Sequence, residues 1–241
     1  MNYPQAIANF LMDAVFPVRC LECGRLGSVY LCPKCLSAVE LKKKFECIGC
    51  GGETFLGQTC LACADDFAVD RLFVVSHYHD QAVQKILKCL KYNFVPDAAG
   101  PLVILAKKYL KYLAHDRRLK FFDSNPLLVP VPLFKKRLNW RGFNQSEILA
   151  KKISEDFLMP FGPDILKRVR KAKPQAEIKE RDLRLANITG QFVCAGNSKL
   201  NGAKVILIDD VCTSGATLNE CAKVLKANGA REVSALVIAR G

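Results

Sequence analysis

Residues 205–217 read VILIDDVCTSGAT: an apolar run, two adjacent carboxylates, then a cluster of small and hydroxyl residues. Each part suits one piece of a ribose 5-phosphate ester. Residues 205–208 have the continuous apolar character of a central strand covered on both faces. Asp209 and Asp210 then stand at the strand's carboxyl end, where open α/β sheets place their ligands. Thr213, Ser214, Gly215, Ala216 and Thr217 lead straight into a helix, whose first N–H groups can hold a phosphate dianion with help from the hydroxyls. Carboxylates would repel that phosphate, but they accept hydrogen bonds from the 2′- and 3′-hydroxyls of the attached ribose. Aspartates that merely cap the next helix are the weaker reading. The segment is not a P-loop, since no G-x-x-x-x-G-K-[ST] occurs, and it lacks a dinucleotide fingerprint.

A second chemistry sits near the N-terminus. Eight of the twelve cysteines form four C-x-x-C pairs: Cys20/Cys23, Cys32/Cys35, Cys47/Cys50 and Cys60/Cys63. In a reducing compartment such pairs are not a disulfide framework. Two sulfurs on one tight knuckle can share a tetrahedral ion, and two knuckles complete a four-thiolate zinc site. Consecutive pairing gives two ribbons, 20–35 and 47–63, and two structural zinc ions. The spacing leaves open a crossed pairing of knuckles, redox cysteines, and a single metallated ribbon. Gly24, Gly51 and Gly52 follow knuckles, where a tight turn needs positive φ. Cys89, Cys194, Cys212 and Cys221 read as buried or incidental thiols; Cys212 alone lies near a helix N-terminus, where its pKa could drop, and a redox role for it is the weaker reading. His77, His79 and His115 share no ligand spacing with the cysteines, and HYHD reads as a strand end.

The chain of 241 residues is half apolar and long enough for one or two domains with a full core. No apolar run reaches the ~18 residues of a membrane span. Residues 1–16 have no basic residue, and Asn9 and Asp13 interrupt their apolar stretch. They read as a short amphipathic helix (Ile7, Phe10, Leu11, Ala14) rather than a secretion signal, so the cytoplasm is the expected compartment. Charge divides the chain. Residues 1–64 hold six Lys/Arg and five Asp/Glu, which leaves +12 of the net +13 on residues 65–241. Each four-thiolate zinc site adds about −2, so the metallated N-terminal module becomes acidic. Residues 134–184 alone contain fourteen Lys/Arg against seven Asp/Glu. That one-signed excess, with Trp140 and Phe143 inside it, favours a polyanion or phosphate-ester partner over an ordinary solvated face.

The elements that must position these groups alternate. RLFVVSHY (71–78) predicts a strand and 81–92 a helix with Val83, Ile86, Leu87 and Leu90 on one face. A helix over about 102–114 and a short buried strand within 126–132 follow. Asn144 and Glu147 predict a capping box for the helix QSEILAKKISEDF. Weaker strands fall near 164–169 and 190–194. The central strand 204–210, a helix from about 216 to 227 stopped by Asn228-Gly229, and a last strand EVSALVIA complete the pattern. Such alternation predicts an α/β fold with a mostly parallel sheet. The expected division is 1–64, a helix and double zinc ribbon, and 65–241, the α/β domain.

With these residues in place, VILIDDVCTSGAT resembles the signature of type I phosphoribosyltransferases, which bind phosphoribosyl pyrophosphate (PRPP). Cys212 departs mildly from it. LVPVPL, RGFNQSEILA and KPQAEIKERDLRLANITGQF, in that order after a zinc-ribbon module, are similar to the ComF/ComFC competence-protein family over nearly the whole chain; two complete cysteine sets match its double zinc-ribbon form. The resemblance implies a type I phosphoribosyltransferase-like sheet flanked by helices behind a small double zinc-ribbon module. It implies that Asp209 and Asp210, the catalytic positions, hold the ribose hydroxyls and a hydrated Mg²⁺, and that residues 213–217 hold the 5′-phosphate. Residues 130–132 with Arg137 and Arg141 become pyrophosphate-loop candidates, and 171–184 matches the mobile loop over the site.

Two functions follow. One is a DNA-uptake factor in natural transformation that handles incoming single-stranded DNA, with Arg137, Arg141, Arg168 and Arg170 as candidate cations. Its implied partners are a DNA-uptake helicase or translocation machinery, at the inner face of the cell membrane. The other is an active, Mg-dependent, pyrophosphate-releasing phosphoribosyltransferase in nucleotide salvage or biosynthesis, where the protein chiefly positions and supplies charge.

Overall fold

The computed structural model describes residues 17–115, 125–169, 190–195 and 200–241. The helix expected over 1–16, Arg170 and the segment 171–184 lie outside the described residues. Four strands, β1 (Arg71–His77), β2 (Leu127–Pro130), β5 (Lys204–Cys212) and β6 (Glu232–Arg240), form one parallel sheet in the order β1–β6–β5–β2. The expected weaker strands are β3 (Leu166–Arg168) and β4 (Phe192–Cys194), which pair antiparallel outside that sheet. β5 runs two residues further than the expected 204–210, to Cys212, so the aspartates lie within the strand and not at its last residues.

The α-helices among the described residues are α1 (Pro33–Ala38), α2 (Gln81–Tyr92), α3 (Ala99–Ala114), α4 (Lys135–Arg141), α5 (Gln145–Phe157) and α6 (Ala216–Ala227). The α2 stripe is buried as its periodicity requires, and Asp80 caps the helix by accepting from the Val83 N–H at 3.1 Å. HYHD is therefore a strand end followed by a helix cap. α5 is capped by Asn144 Oδ1, which accepts the Ser146 N–H at 3.1 Å, while Glu147 stands exposed instead of completing a box. The short α4 carries no apolar stripe to announce it; Gly142 ends it in the left-handed region.

Strand side chains alternate between two cores. Phe73, Val75, Ile206, Ile208 and Leu236 pack with α2, α3 and α5. Leu72, Val74, Val205, Leu207 and Val237 pack with α6. The cysteine-rich segment joins both layers. Cys20, Leu31, Leu36 and Val39 enter the first core, and Ile48 and Phe67 the second. Its linker is bonded along β1, with the Lys42 N–H donating to Val75 O at 2.9 Å and Ser76 Oγ to Glu40 O at 3.0 Å. No helix among the described residues is long and apolar enough to cross a membrane.

Candidate ribose-phosphate site and cysteine clusters

The end of β5 gives its two aspartates different neighbours. Asp210 is buried and forms a 2.8 Å ion pair with Lys91, in the last turn of α2. Burial opposes the Lys91 charge, yet Asp210, and behind it Asp209, hold its pKa above the ordinary lysine value. Asp209 accepts through Oδ1 from Ser146 Oγ and from the Asp210 N–H, each at 2.8 Å. Burial first, then the adjoining Asp210 charge, outweighs these bonds and pushes its pKa up to about 7. A hydroxyl donor would meet one carboxylate already countered by lysine and another at the edge of ionisation.

The loop after β5 turns directly into α6. Thr213 is exposed, Ser214 and Thr217 are half-buried, and Ser214 Oγ accepts the Ala216 N–H at 3.5 Å. Gly215 caps α6 with φ 77°, and a Cβ there would stand 2.8 Å from Ile48 Cγ1 and 3.2 Å from Phe67 Cε1. Glycine is required twice, for the left-handed turn and for the space. The first N–H groups of α6 lack intrahelical acceptors and carry the positive end of its dipole.

β2 delivers the proline segment to the same edge. Pro130 pairs with Ile208, and the Val131 N–H donates to Ile208 O at 3.0 Å, one residue before Asp209. Asn144 Nδ2 donates to Val131 O at 3.1 Å while its Oδ1 caps α5. One buried side chain thus fixes both the proline segment and the Ser146 that reaches Asp209.

Three of the four candidate arginines gather here. Arg141 is buried; its Nη1 donates to Gln145 Oε1, and its Nε has no hydrogen-bond partner among the described residues. Burial depresses its pKa, with Asp210 opposing and Arg137 adding to the depression. Arg168 donates from Nε and Nη2 to Gln191 Oε1 at 3.2 and 2.8 Å and lies 5.1 Å over the Phe192 ring. Burial depresses it too, then Arg137, while Cys221 and Asp209 pull the other way. Arg137 is exposed. Of the two aromatics, Phe143 packs against the α2 side core, whereas Trp140 is 63% exposed and meets Phe94 edge-on at 4.6 Å.

Sequence reasoning missed Lys91, Asn144 and Ser146 as site residues. Lys91 left one signal: it lies four residues after Leu87, on the stripe that should be apolar.

The cysteines assemble as Cys20/Cys23/Cys32/Cys35 and Cys47/Cys50/Cys60/Cys63, each with all four sulfurs within 4.8 Å of one another. The knuckles therefore pair consecutively, not crossed. The cross-knuckle sulfurs of Cys23 and Cys32, and of Cys50 and Cys60, are 3.8 Å apart. A tetrahedron with Zn–S of ~2.3 Å has edges of ~3.8 Å, so both clusters fit a zinc ion. The Cys32 N–H points at Cys20 Sγ and the Cys60 N–H at Cys47 Sγ, each at 3.4 Å. Burial raises the pKa of Cys20 and Cys47, but these and other backbone N–H groups outweigh it and bring both down to about 6. Gly24 and Gly51 take φ of 73° and 76°, as the knuckle turns require. Cys212 is a buried thiol, as the sequence reads it; burial outweighs its place beside the helix N-terminus and raises its pKa to about 11. Cys89 and Cys221 are likewise buried and raised.

A carboxylate pair at a parallel strand's end thus stands beside a glycine-capped helix N-terminus. The family model for the phosphoribosyl transferase domain matches residues 144–241. With two four-cysteine clusters ahead of that domain, the chain is similar to competence and DNA utilization proteins over most of its length. It is 27% identical to competence protein F of Haemophilus influenzae, over 93% of this chain and 98% of that one. DNA utilization protein YhgH of Escherichia coli is 28% identical, with 89% and 92% covered. Competence protein ComFC of Streptococcus pneumoniae is 28% identical, with 87% of each covered.

Proposed function

We propose that the protein handles incoming single-stranded DNA in DNA uptake and binds PRPP with Mg²⁺ at Asp209, Asp210, Thr213, Ser214, Gly215, Ala216 and Thr217. The observation that carries the ribose-phosphate half is the aspartate pair of β5 abutting the Gly215-capped α6. The buried Nε of Arg141, with no acceptor among the described residues, supports an anion nearby. The DNA half is supported by the relatives named for competence and DNA utilization, and by exposed Lys135, Lys136 and Arg137 along α4. Residues 1–64 then serve as a metal-held scaffold and 65–241 as the binding domain, acting on the cytoplasmic side of the membrane. Calorimetry with PRPP and Mg²⁺, beside pyrophosphate-release assays on a panel of bases with and without single-stranded DNA, tests the reading. Absence of PRPP binding removes it, and steady pyrophosphate release would make the protein an active transferase.

Two further results are expected. Protein purified without chelator should carry two zinc ions per chain, one in each cluster; elemental analysis finding none would remove the metal. PRPP affinity should also depend on pH through Asp209. Its carboxylate must be ionised to accept from ribose, so affinity rises as pH passes about 7 and falls below it. Folding stability runs the opposite way. A carboxyl with a raised native pKa favours folding below its ordinary range, and that contribution is lost as pH rises through about 7. Asp209→Asn should flatten both profiles between pH 5 and 8; a binding profile unchanged in that variant assigns the titration elsewhere.

A further inference from the structure

We infer that the second cysteine cluster positions the ribose-phosphate loop, so that metal at Cys47, Cys50, Cys60 and Cys63 and anion at residues 213–217 reinforce each other. The inference rests on the ribose-phosphate reading of that loop. Ile48 lies inside the 47–50 knuckle, is fully buried, and forms the floor under Gly215, where even a Cβ would come within 2.8 Å of it. Phe67 forms the rest of that floor, and its N–H donates to Cys63 O at 3.0 Å, which ties it to the other knuckle. The two knuckles interlock around Gly49, whose missing Cβ would stand 2.6 Å from Cys63 Sγ.

Two polar clamps fasten this unit to the helix after the loop and to β6, which pairs with the strand before it. Arg240 ends β6 opposite Cys212 of β5, and its Nη1 and Nη2 donate to Cys47 O and Ile48 O at 2.7 and 2.8 Å. Asn219, one turn into α6, is buried. Its Oδ1 accepts the Ala68 N–H and its Nδ2 donates to Asp66 O, both at 2.7 Å. The first knuckle is thus bonded to β6, the neighbour of the strand before the loop, and the chain leaving the cluster to the helix after it. The first cluster has a different place: Cys20, Leu31, Leu36 and Val39 pack with α2 and α3 on the opposite core.

A metal supplies much of the folding free energy of so small a four-cysteine unit. Losing it frees the 47–50 knuckle, and Gly215 loses its floor. By linkage, an anion that holds the loop in place must in turn hold the metal.

The full-length chain tests this with two readouts: hydrogen exchange of amides 211–219, and zinc transfer to a chelator with and without PRPP. In Cys60→Ser/Cys63→Ser, exchange over 211–219 should rise by about 5-fold or more, the lower range of such couplings. In Cys23→Ser/Cys32→Ser it should stay at the wild-type rate, and saturating PRPP should slow zinc release from the remaining cluster by a similar factor. Ile48→Ala keeps every cysteine, so it should retain both zinc ions while still raising exchange over 211–219 and weakening PRPP. Equal exchange in the two cysteine variants, or an Ile48→Ala protein that behaves as wild type, would overturn the inference. A wild-type protein that binds no PRPP removes the ribose-phosphate reading instead, while the exchange comparison still decides whether the cluster positions the loop.

Discussion

Replacing Asp209 and Asp210 together by Asn should lower PRPP affinity by about two orders of magnitude or more. The substitution keeps side-chain volume and removes two anionic acceptors. Each charge-assisted hydrogen bond to a ribose hydroxyl contributes roughly 1.5–3 kcal/mol, so the pair reaches about 3 kcal/mol even at the low end. The single variants should separate in stability. Asp209→Asn removes a half-buried charge that its surroundings already disfavour, and Ser146 Oγ can still donate to the amide oxygen. Thermal unfolding should therefore rise or stay level. Asp210→Asn strips Lys91 of its 2.8 Å partner in a mostly buried position, so unfolding should fall to lower temperature. Calorimetry finding undiminished PRPP affinity in the double variant would remove the assignment of the ribose to these residues.

The parts of this site that a sequence can show are the ones encoded by neighbours. An apolar run, two aspartates and a small hydroxyl loop lie within thirteen residues, and strand and helix periods carry that order into space directly. The strands and longer helices were legible for the same reason. What was not legible depends on partners far along the chain. Lys91 meets Asp210, and Ser146 meets Asp209, only because α2 and α5 pack over the end of β5. Ile48 looked like an ordinary residue within a knuckle, yet it supports Gly215. The pairing of the knuckles, open on spacing alone, is set by which sulfurs the fold brings together. Cys212 carries both kinds of signal. The sequence reads it as a buried or incidental thiol beside a helix N-terminus, and the burial that the packed sheet creates decides its pKa.

Single-stranded DNA should bind along α4, and its affinity should fall with salt at a log–log slope of about −0.7 per phosphate contacted. α4 separates two tasks by direction. Lys135, Lys136 and Arg137 are exposed in its first half, and Trp140 presents an exposed ring braced by Phe94. Arg141, the next residue, turns inward to Gln145 and the field of Asp210. Neutralising Lys135, Lys136 and Arg137 to Gln should make the slope shallower by about 2, three contacts at 0.7 each, and weaken binding for every sequence alike. Adding Arg168 and Arg170 to that set should flatten it further. Trp140→Ala should instead cost about 1–3 kcal/mol of DNA binding with the slope unchanged, because stacking displaces no counterions. Trp140→Ala should leave PRPP affinity unaltered, whereas Arg141→Gln should weaken PRPP first. Fluorescence anisotropy across a salt series resolves these outcomes. A triple variant with the wild-type slope would place the DNA path away from α4, and PRPP that displaces DNA from wild-type protein would mean that the two ligands share Arg141 after all.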